Sequence, residues 1–177
     1  MSTYNAFYVR KQAPDDVTRA EILKLYPDAH VETLPDFIGA VLSRNEYTPA
    51  EEALSQLSEK LDTDIIWVGY QTAVEAFVYH HWRVGTQLRA LRYGCASEGT
   101  WDRVEGEVEP WERDAFWNDG DLDGWLEDAE TENERQKLRK LWKDCRLVQG
   151  ETVPMAGSDA AVEVVMEHYG LFDTNGS

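Results

Sequence analysis

The chain has 177 residues, of which 42% are hydrophobic and 11% aromatic, and its formal net charge at pH 7 is −17. This length and composition predict one globular domain, or one domain with a tail. The acidic excess argues against a nucleic-acid or anionic-membrane surface, because phosphate contacts need clustered Lys and Arg. No stretch approaches the ~18 apolar residues of a membrane span, and the N-terminus lacks the apolar region of a signal peptide. With only Cys95 and Cys145 there is no disulfide framework, so a cytoplasmic location is expected.

The negative charge is concentrated in one part of the chain. Between Glu98 and Glu134 there are fifteen acidic residues against two basic ones, a local net charge of −13. The rest of the chain therefore carries only −4. We call residues 98–134 the acidic segment.

The first 70 residues predict an alternation of strands and helices in the order β-α-β-β-α-β. Aromatic and β-branched residues are typical of strands, and apolar residues at helical spacing indicate the two helices. This is the element order of a ferredoxin-like unit, an antiparallel sheet with two helices on one face. The order occurs in many unrelated proteins and so predicts no function. The strands are expected at 3–11, 30–34, 37–43 and 64–70.

The following residues predict more strands and then helices. Runs at 73–82, 86–93 and 101–109 favour an antiparallel β-meander that extends the first sheet, or forms a second one. A short helix is expected at 111–117, one long helix from about Leu126 to Arg146, and a last helix from Ser158 to Gly170. Together these elements predict an α+β fold. Its core domain would span 1–117, with an acidic loop and helical C-terminal segment, 118–177, packed on it.

The acidic segment contains a calcium-loop pattern. Asp119, Asp121 and Asp123 occupy alternate positions, Gly124 follows, and Glu130 stands at the position of the bidentate ligand. These twelve residues resemble the loop of EF-hand proteins, which implies a Ca²⁺ site completed by the main-chain carbonyl of Trp125. The flanking residues depart from that family, since Asn118 precedes the loop and the polar run 131–137 follows it. A solvated acidic loop is the alternative.

Carboxylates and tryptophans are interleaved within the acidic segment. Glu105, Glu107 and Glu109 lie along the last predicted strand, and Trp111 and Trp117 follow them. Aromatic residues are favoured at protein interfaces, and the surrounding charge would steer a basic partner. These five residues therefore predict a non-enzymatic protein that binds a basic protein or peptide. Packing of the tryptophans in the core is the alternative.

An enzyme is the third hypothesis, with a site in the meander around His81, Arg89 and Glu105. Strand alternation sends His80 towards the apolar face and His81 to the other, where a surface network with Tyr79 is expected. The sequence contains no phosphate loop, dinucleotide fingerprint, G-x-S-x-G or H-E-x-x-H motif. The enzyme hypothesis therefore depends on these three residues alone.

Overall fold

The computed structural model describes residues 3–43, 50–155 and 157–172. In these ranges the chain forms a single sheet of seven antiparallel strands, in the order β2-β3-β1-β4-β5-β6-β7, and six helices. The predicted mixed α+β class is thus confirmed. The strands are β1 (Thr3–Arg10), β2 (His30–Thr33), β3 (Phe37–Val41), β4 (Asp64–Gln71), β5 (Ala76–Arg83), β6 (Thr86–Tyr93) and β7 (Trp101–Gly106). The helices are α1 (Asp15–Leu25), α2 (Glu51–Lys60), α3 (Trp111–Phe116), α4 (Asp119–Asp128), α5 (Glu132–Asp144) and α6 (Ser158–Tyr169).

Helices cover both faces of the sheet. On one face, Phe7 and Trp67 pack with apolar residues of α1 and α2. On the other, Tyr8, Ile66 and Tyr79 pack with residues of α3, α5 and α6. Because the central strands are buried on both sides, their sequences are almost continuously apolar.

Strand β7 ends three residues earlier than predicted, at Gly106. Gly106 has a φ of +85°, and a Cβ atom there would lie 1.9 Å from the carbonyl oxygen of Leu88. No other residue fits this close approach, since a side chain would clash with the neighbouring main chain. The chain therefore leaves the sheet edge at this glycine, and Trp111 comes to pack on Tyr79, with ring centroids 4.7 Å apart.

The predicted acidic loop and single long helix are wrong, because this stretch forms two helices, α4 and α5. The side chain of Asn118 accepts a hydrogen bond from the main-chain N–H of Asp121 and caps α4, whose acidic first turn suits the positive end of the helix dipole. Thr131 and Glu134 form a capping box that starts α5. The T-x-x-E signal for that second start is present in the sequence. The predicted division into domains at residue 117 stays a prediction.

Candidate functional site

A buried carboxylate, Glu109, organises the polar residues on the sheet face that α3 and α6 cover. Its Oε1 lies 2.6 Å from Nδ1 of His81. Its Oε2 accepts hydrogen bonds from Nε1 of Trp111 at 2.8 Å, from the hydroxyl of Tyr169 at 2.8 Å and from the hydroxyl of Tyr79. We call these five residues the Glu109 cluster. They join strand β5, the start of α3 and the end of α6.

The cluster holds a charged carboxylate among hydrogen-bond donors. Burial opposes ionisation of Glu109, but hydrogen bonds from His81 and the two tyrosines outweigh it and lower the pKa of Glu109 to about 2. Burial and the Glu109 charge raise the pKa of Tyr79 and of Tyr169 above the ordinary value. Both phenols therefore stay protonated and donate to the carboxylate.

The other ring nitrogen of His81 faces a second carboxylate. Nε2 of His81 lies 3.4 Å from Oδ1 of Asp64. Asp64 also accepts from Nε of Arg83 at 2.7 Å and lies 3.3 Å from Nε of Arg10. An imidazole held by a carboxylate has the orientation of a general base, yet Nε2 faces Asp64 rather than a hydroxyl or thiol. The surface network predicted for His81 is wrong, because the residue is only 5% exposed.

A buried ion pair lies beside the Glu109 cluster. Arg89 binds Glu112 through two parallel hydrogen bonds of 2.7 Å, and the exposed fractions of the two residues are 2% and 1%. Arg89 also donates to the carbonyl oxygens of Glu105 and Gly106, and Glu112 accepts from the main-chain N–H of Glu109. Burial raises the pKa of Glu112 and the contact with Arg89 opposes that rise. Such a pair fixes the turn after β7 onto strand β6.

The sheet separates the three residues of the enzyme hypothesis. His81, Arg89 and Gly106 are paired across strands β5, β6 and β7, whereas Glu105 pairs with Ala90 in the neighbouring row. The carboxylate of Glu105 accordingly lies on the α2 face, 2.8 Å from Nη2 of Arg103. The structure therefore does not bring Glu105 together with His81 and Arg89.

His80 lies on the α2 face and is fully buried, as expected from its place on the apolar face of the strand, but its Nδ1 has no hydrogen-bond partner among the described residues. Its ring packs between Trp67 and Trp82, with centroid distances of 4.9 and 5.3 Å. Burial, reinforced by the nearby Arg92, lowers the pKa of His80 to about 3. The imidazole is therefore neutral at physiological pH.

The predicted exposed face of tryptophans and carboxylates is wrong for three of its five residues. Trp111 and Trp117 are 1% and 6% exposed, and the Glu109 side chain is 12% exposed. The tryptophans are core residues because each stacks edge-on against another buried ring, Trp111 on Phe116 and Trp117 on Trp142. Glu105 and Glu107 are exposed, and a role for them in partner binding stays a prediction.

The carboxylates of α4 lack a counter-charge, and all of them except the half-buried Asp121 are exposed. From Asp114 to Glu134 the sequence has nine acidic residues and no Lys or Arg. Within the described ranges, no ion pair involves the five acidic residues of α4 or Glu130, which follows the helix. These six carboxylates, which we call the α4 carboxylates, are Asp119, Asp121, Asp123, Glu127, Asp128 and Glu130.

The predicted Ca²⁺ ligands lie mostly in helix α4. Asp119 and Asp123 are four residues apart and share a helix face, but Asp121 lies two residues from each of them and does not. Gly124, which a calcium loop would place at its sharp turn, is helical here. Of the two ligands predicted after Gly124, Trp125 also lies within α4 and Glu130 follows the helix. Among the described residues there is no group of three or more His, Cys, Asp or Glu side chains that could hold a metal ion. Calcium binding stays a prediction and requires α4 to unwind.

A groove of about 310 Å³ lies between the end of α4, helix α5 and residues 151–153. Its floor is apolar, and carboxylates stand along its rim. Arg135 donates to the carbonyl oxygen of Ala129 at 2.7 Å and so holds the corner between the two helices. We call this feature the α4–α5 groove. Its floor includes Trp125, Leu138, Leu141 and Val153, and its charged rim Asp128, Glu130, Glu134, Glu151 and Lys137, which is paired with Glu151.

Comparison with models of known protein families, with curated proteins and with solved structures finds no match. Across the described ranges, no helix has both the length and the apolar character needed to cross a membrane.

No sequence pattern indicates the roles of Glu112 and Tyr169. Glu112 belongs to the acidic segment, and one carboxylate among fifteen gives no reason to expect that it is buried. Tyr169 lies 60 residues from Glu109 along the chain, so no local pattern connects them. The apolar neighbours of Glu112 within α3, Trp111 and Phe116, were the available hint.

Proposed function

We propose that this is a non-enzymatic cytoplasmic protein that binds a basic protein or peptide through its acidic segment. The observation that supports the proposal is the contrast between two sets of carboxylates. Those next to the sheet, such as Asp64, Glu105 and Glu112, have Arg partners within the chain. The α4 carboxylates have no such partner among the described residues. A cationic partner supplies the missing counter-charge and is attracted over a distance before contact.

The proposal places the binding surface at residues 119–130 rather than at 105–117. Trp111, Trp117 and Glu109 hold the core together and leave no exposed aromatic face. Glu107 is exposed and lies outside α4. We therefore expect α4 to contribute more to partner binding than the end of β7.

The test uses a fluorescein-labelled peptide rich in Lys and Arg and follows its fluorescence anisotropy. The substitutions Asp123→Asn, Glu127→Gln and Glu130→Gln remove three exposed charges from the proposed surface. We expect the triple variant to bind the peptide roughly tenfold more weakly, since each exposed charge contributes about 0.5 kcal/mol to pairing. The affinity of the unmodified protein should fall as NaCl is raised, because exposed charges are screened.

The matched control removes three exposed charges elsewhere, through Glu59→Gln, Glu163→Gln and Glu167→Gln. It has the same net charge as the triple variant, so an equal loss of affinity would mean that only overall charge matters. That result, or the absence of salt-dependent binding in the unmodified protein, would contradict the proposal.

We also propose that residues 3–70 form a ferredoxin-like split unit. Strand β1 lies between β3 and β4 and is antiparallel to both, and β2 pairs with β3 at the sheet edge. Helices α1 and α2 pack on the same face of these strands. Both features support the element order predicted from the sequence.

A further inference from the structure

We propose that the α4–α5 groove is the docking site for a short basic peptide segment, which places one large apolar side chain on the groove floor. The inference rests on the proposed function and names the partner chemistry of that surface. The groove volume of about 310 Å³ lies at the lower end of the range of small ligand pockets, roughly 300–1,000 Å³. It has room for a side chain rather than for a folded domain.

The floor of the groove is apolar and incompletely covered. Leu138 and Val153 belong to the hydrophobic core, and Trp125 and Leu141 are half-buried against it. An apolar side chain placed between Trp125 and Leu141 would remove their exposed surface from water. Anchor residues of this kind in a central pocket contribute most of the affinity at many protein interfaces.

The rim carries the negative charge that selects basic neighbours of the anchor. Asp128 and Glu130 are exposed and form no ion pair with the described residues. Glu134 is occupied by the capping box and Glu151 by Lys137 at 2.7 Å. The free rim charge therefore comes from the first two residues.

The dipole of α4 strengthens this preference. Asp128 is the last residue of the helix, where the partial charge of the helix dipole is negative. A Lys or Arg that flanks the apolar anchor meets both the carboxylate and this end of the helix. An acidic segment would be repelled by both.

The groove is held in shape before anything binds. Arg135 donates to the carbonyl oxygen of Ala129, and the main-chain N–H groups of Glu130 and Thr131 donate to the Glu134 carboxylate. Nε1 of Trp142 donates to the carbonyl oxygen of Asn118 at 2.9 Å and fixes the start of α4. Little ordering of the protein is then needed on binding, which favours affinity.

Two labelled peptides of about nine residues, with the same lysines around a central Trp or a central Ala, test the anchor by anisotropy at about 0.15 M NaCl. We expect the Trp peptide to bind about tenfold more tightly, because a large apolar side chain is buried.

The variant Asp128→Asn/Glu130→Gln should weaken binding of the Trp peptide about fivefold or more. Glu163→Gln/Glu167→Gln removes the same charge from exposed positions of α6, outside the groove and outside α4, and should weaken it less than about twofold.

The outcomes separate this inference from the proposed function. Equal affinities for the two peptides, with a loss only in Asp128→Asn/Glu130→Gln, would overturn the groove and leave an acidic surface on α4. Equal losses in both double variants would overturn the groove and the proposed function together. Absence of binding of either peptide at about 1 mM would overturn both. All four substituted residues are exposed, and circular dichroism of each variant shows that α4 and α5 are intact before the affinities are compared.

Discussion

Glu109 makes the fold sensitive to acid. Its pKa is lowered from the ordinary 4.5 to about 2 in the folded protein. A lowered carboxyl pKa contributes stability that is present above the unfolded value and is lost as the pH falls through the folded value. The window is therefore pH 4.5 down to about 2, and the full contribution is roughly 3 kcal/mol at 1.36 kcal/mol per pKa unit.

Replacing Glu109 with Gln should remove this acid-dependent part of the stability. We expect Glu109→Gln to lower the free energy of unfolding at pH 7 by about 3 kcal/mol. The difference in this free energy between the variant and the unmodified protein should become smaller as the pH approaches 2. Urea unfolding at a series of pH values measures this. Glu112 acts in the opposite direction because its pKa is raised, but it is present in both proteins and cancels in the comparison. A gap that stays constant with pH would refute the role given to Glu109.

The buried ion pair between Arg89 and Glu112 stabilises the fold only while both residues are present, because either charge alone would be buried without a counter-charge. Glu112→Gln leaves a guanidinium in the core without a counter-charge, which costs about 3–5 kcal/mol. We expect chemical unfolding to show a loss of this size. Glu105→Gln, which affects a half-exposed pair with Arg103, is the control and should cost less than about 1 kcal/mol. Similar losses in the two variants would show that burial of the Arg89 pair has no energetic weight.

At the scale of a single element, α4 is a helix built on residues that favour a loop. Gly124 lies inside the helix, and a Cβ atom at this position meets no heavy atom within 4 Å. Ala is favoured over Gly in a helix interior by about 1 kcal/mol. We therefore expect Gly124→Ala to stabilise the protein and to increase its helical circular dichroism.

The same substitution distinguishes the helix from the calcium loop, in which the corresponding glycine makes a sharp turn. Titration of Ca²⁺ into chelator-treated protein should give no saturable heat, since residues 119–128 are helical. One-to-one binding that disappears in both Asp119→Asn and Gly124→Ala, with loss of helical signal on Ca²⁺ addition, would show instead that α4 unwinds to form the predicted site.

At the scale of the whole molecule, the net charge of −17 acts against the compact state. Self-repulsion among like charges destabilises a fold, and salt screens exposed charges. Raising NaCl should therefore increase the melting temperature by about 2–4 °C for each kcal/mol of repulsion removed. The triple variant Asp123→Asn/Glu127→Gln/Glu130→Gln should gain less from salt than the unmodified protein. An equal rise in melting temperature in the two proteins would show that the repulsion comes from other charges on the surface.

The sequence by itself determined the succession of the strands along the chain and most of the helices. Strand periodicity and the prolines and glycines between the runs are local signals, so the strands near 3–10, 64–71 and 86–93 were predicted within a few residues. The concentration of charge in the acidic segment is likewise a property of the sequence alone. The capping signal at Thr131 and Glu134 is also local, but the polar residues that follow it have no apolar stripe and are equally typical of the solvated part of a longer helix.

Only the tertiary structure decided which acidic residues are buried and which face solvent. Glu109 and Glu112 look the same in the sequence as Asp128 and Glu130, yet the first two are enclosed by α3 and the sheet and the last two face solvent. The difference depends on contacts between residues far apart in the chain, such as Glu109 with Tyr169 and Glu112 with Arg89. A contact between a carboxylate and a donor far away in the chain produces no pattern in the sequence. The sequence therefore could not distinguish the carboxylates of the buried Glu109 cluster from those of the exposed α4–α5 groove.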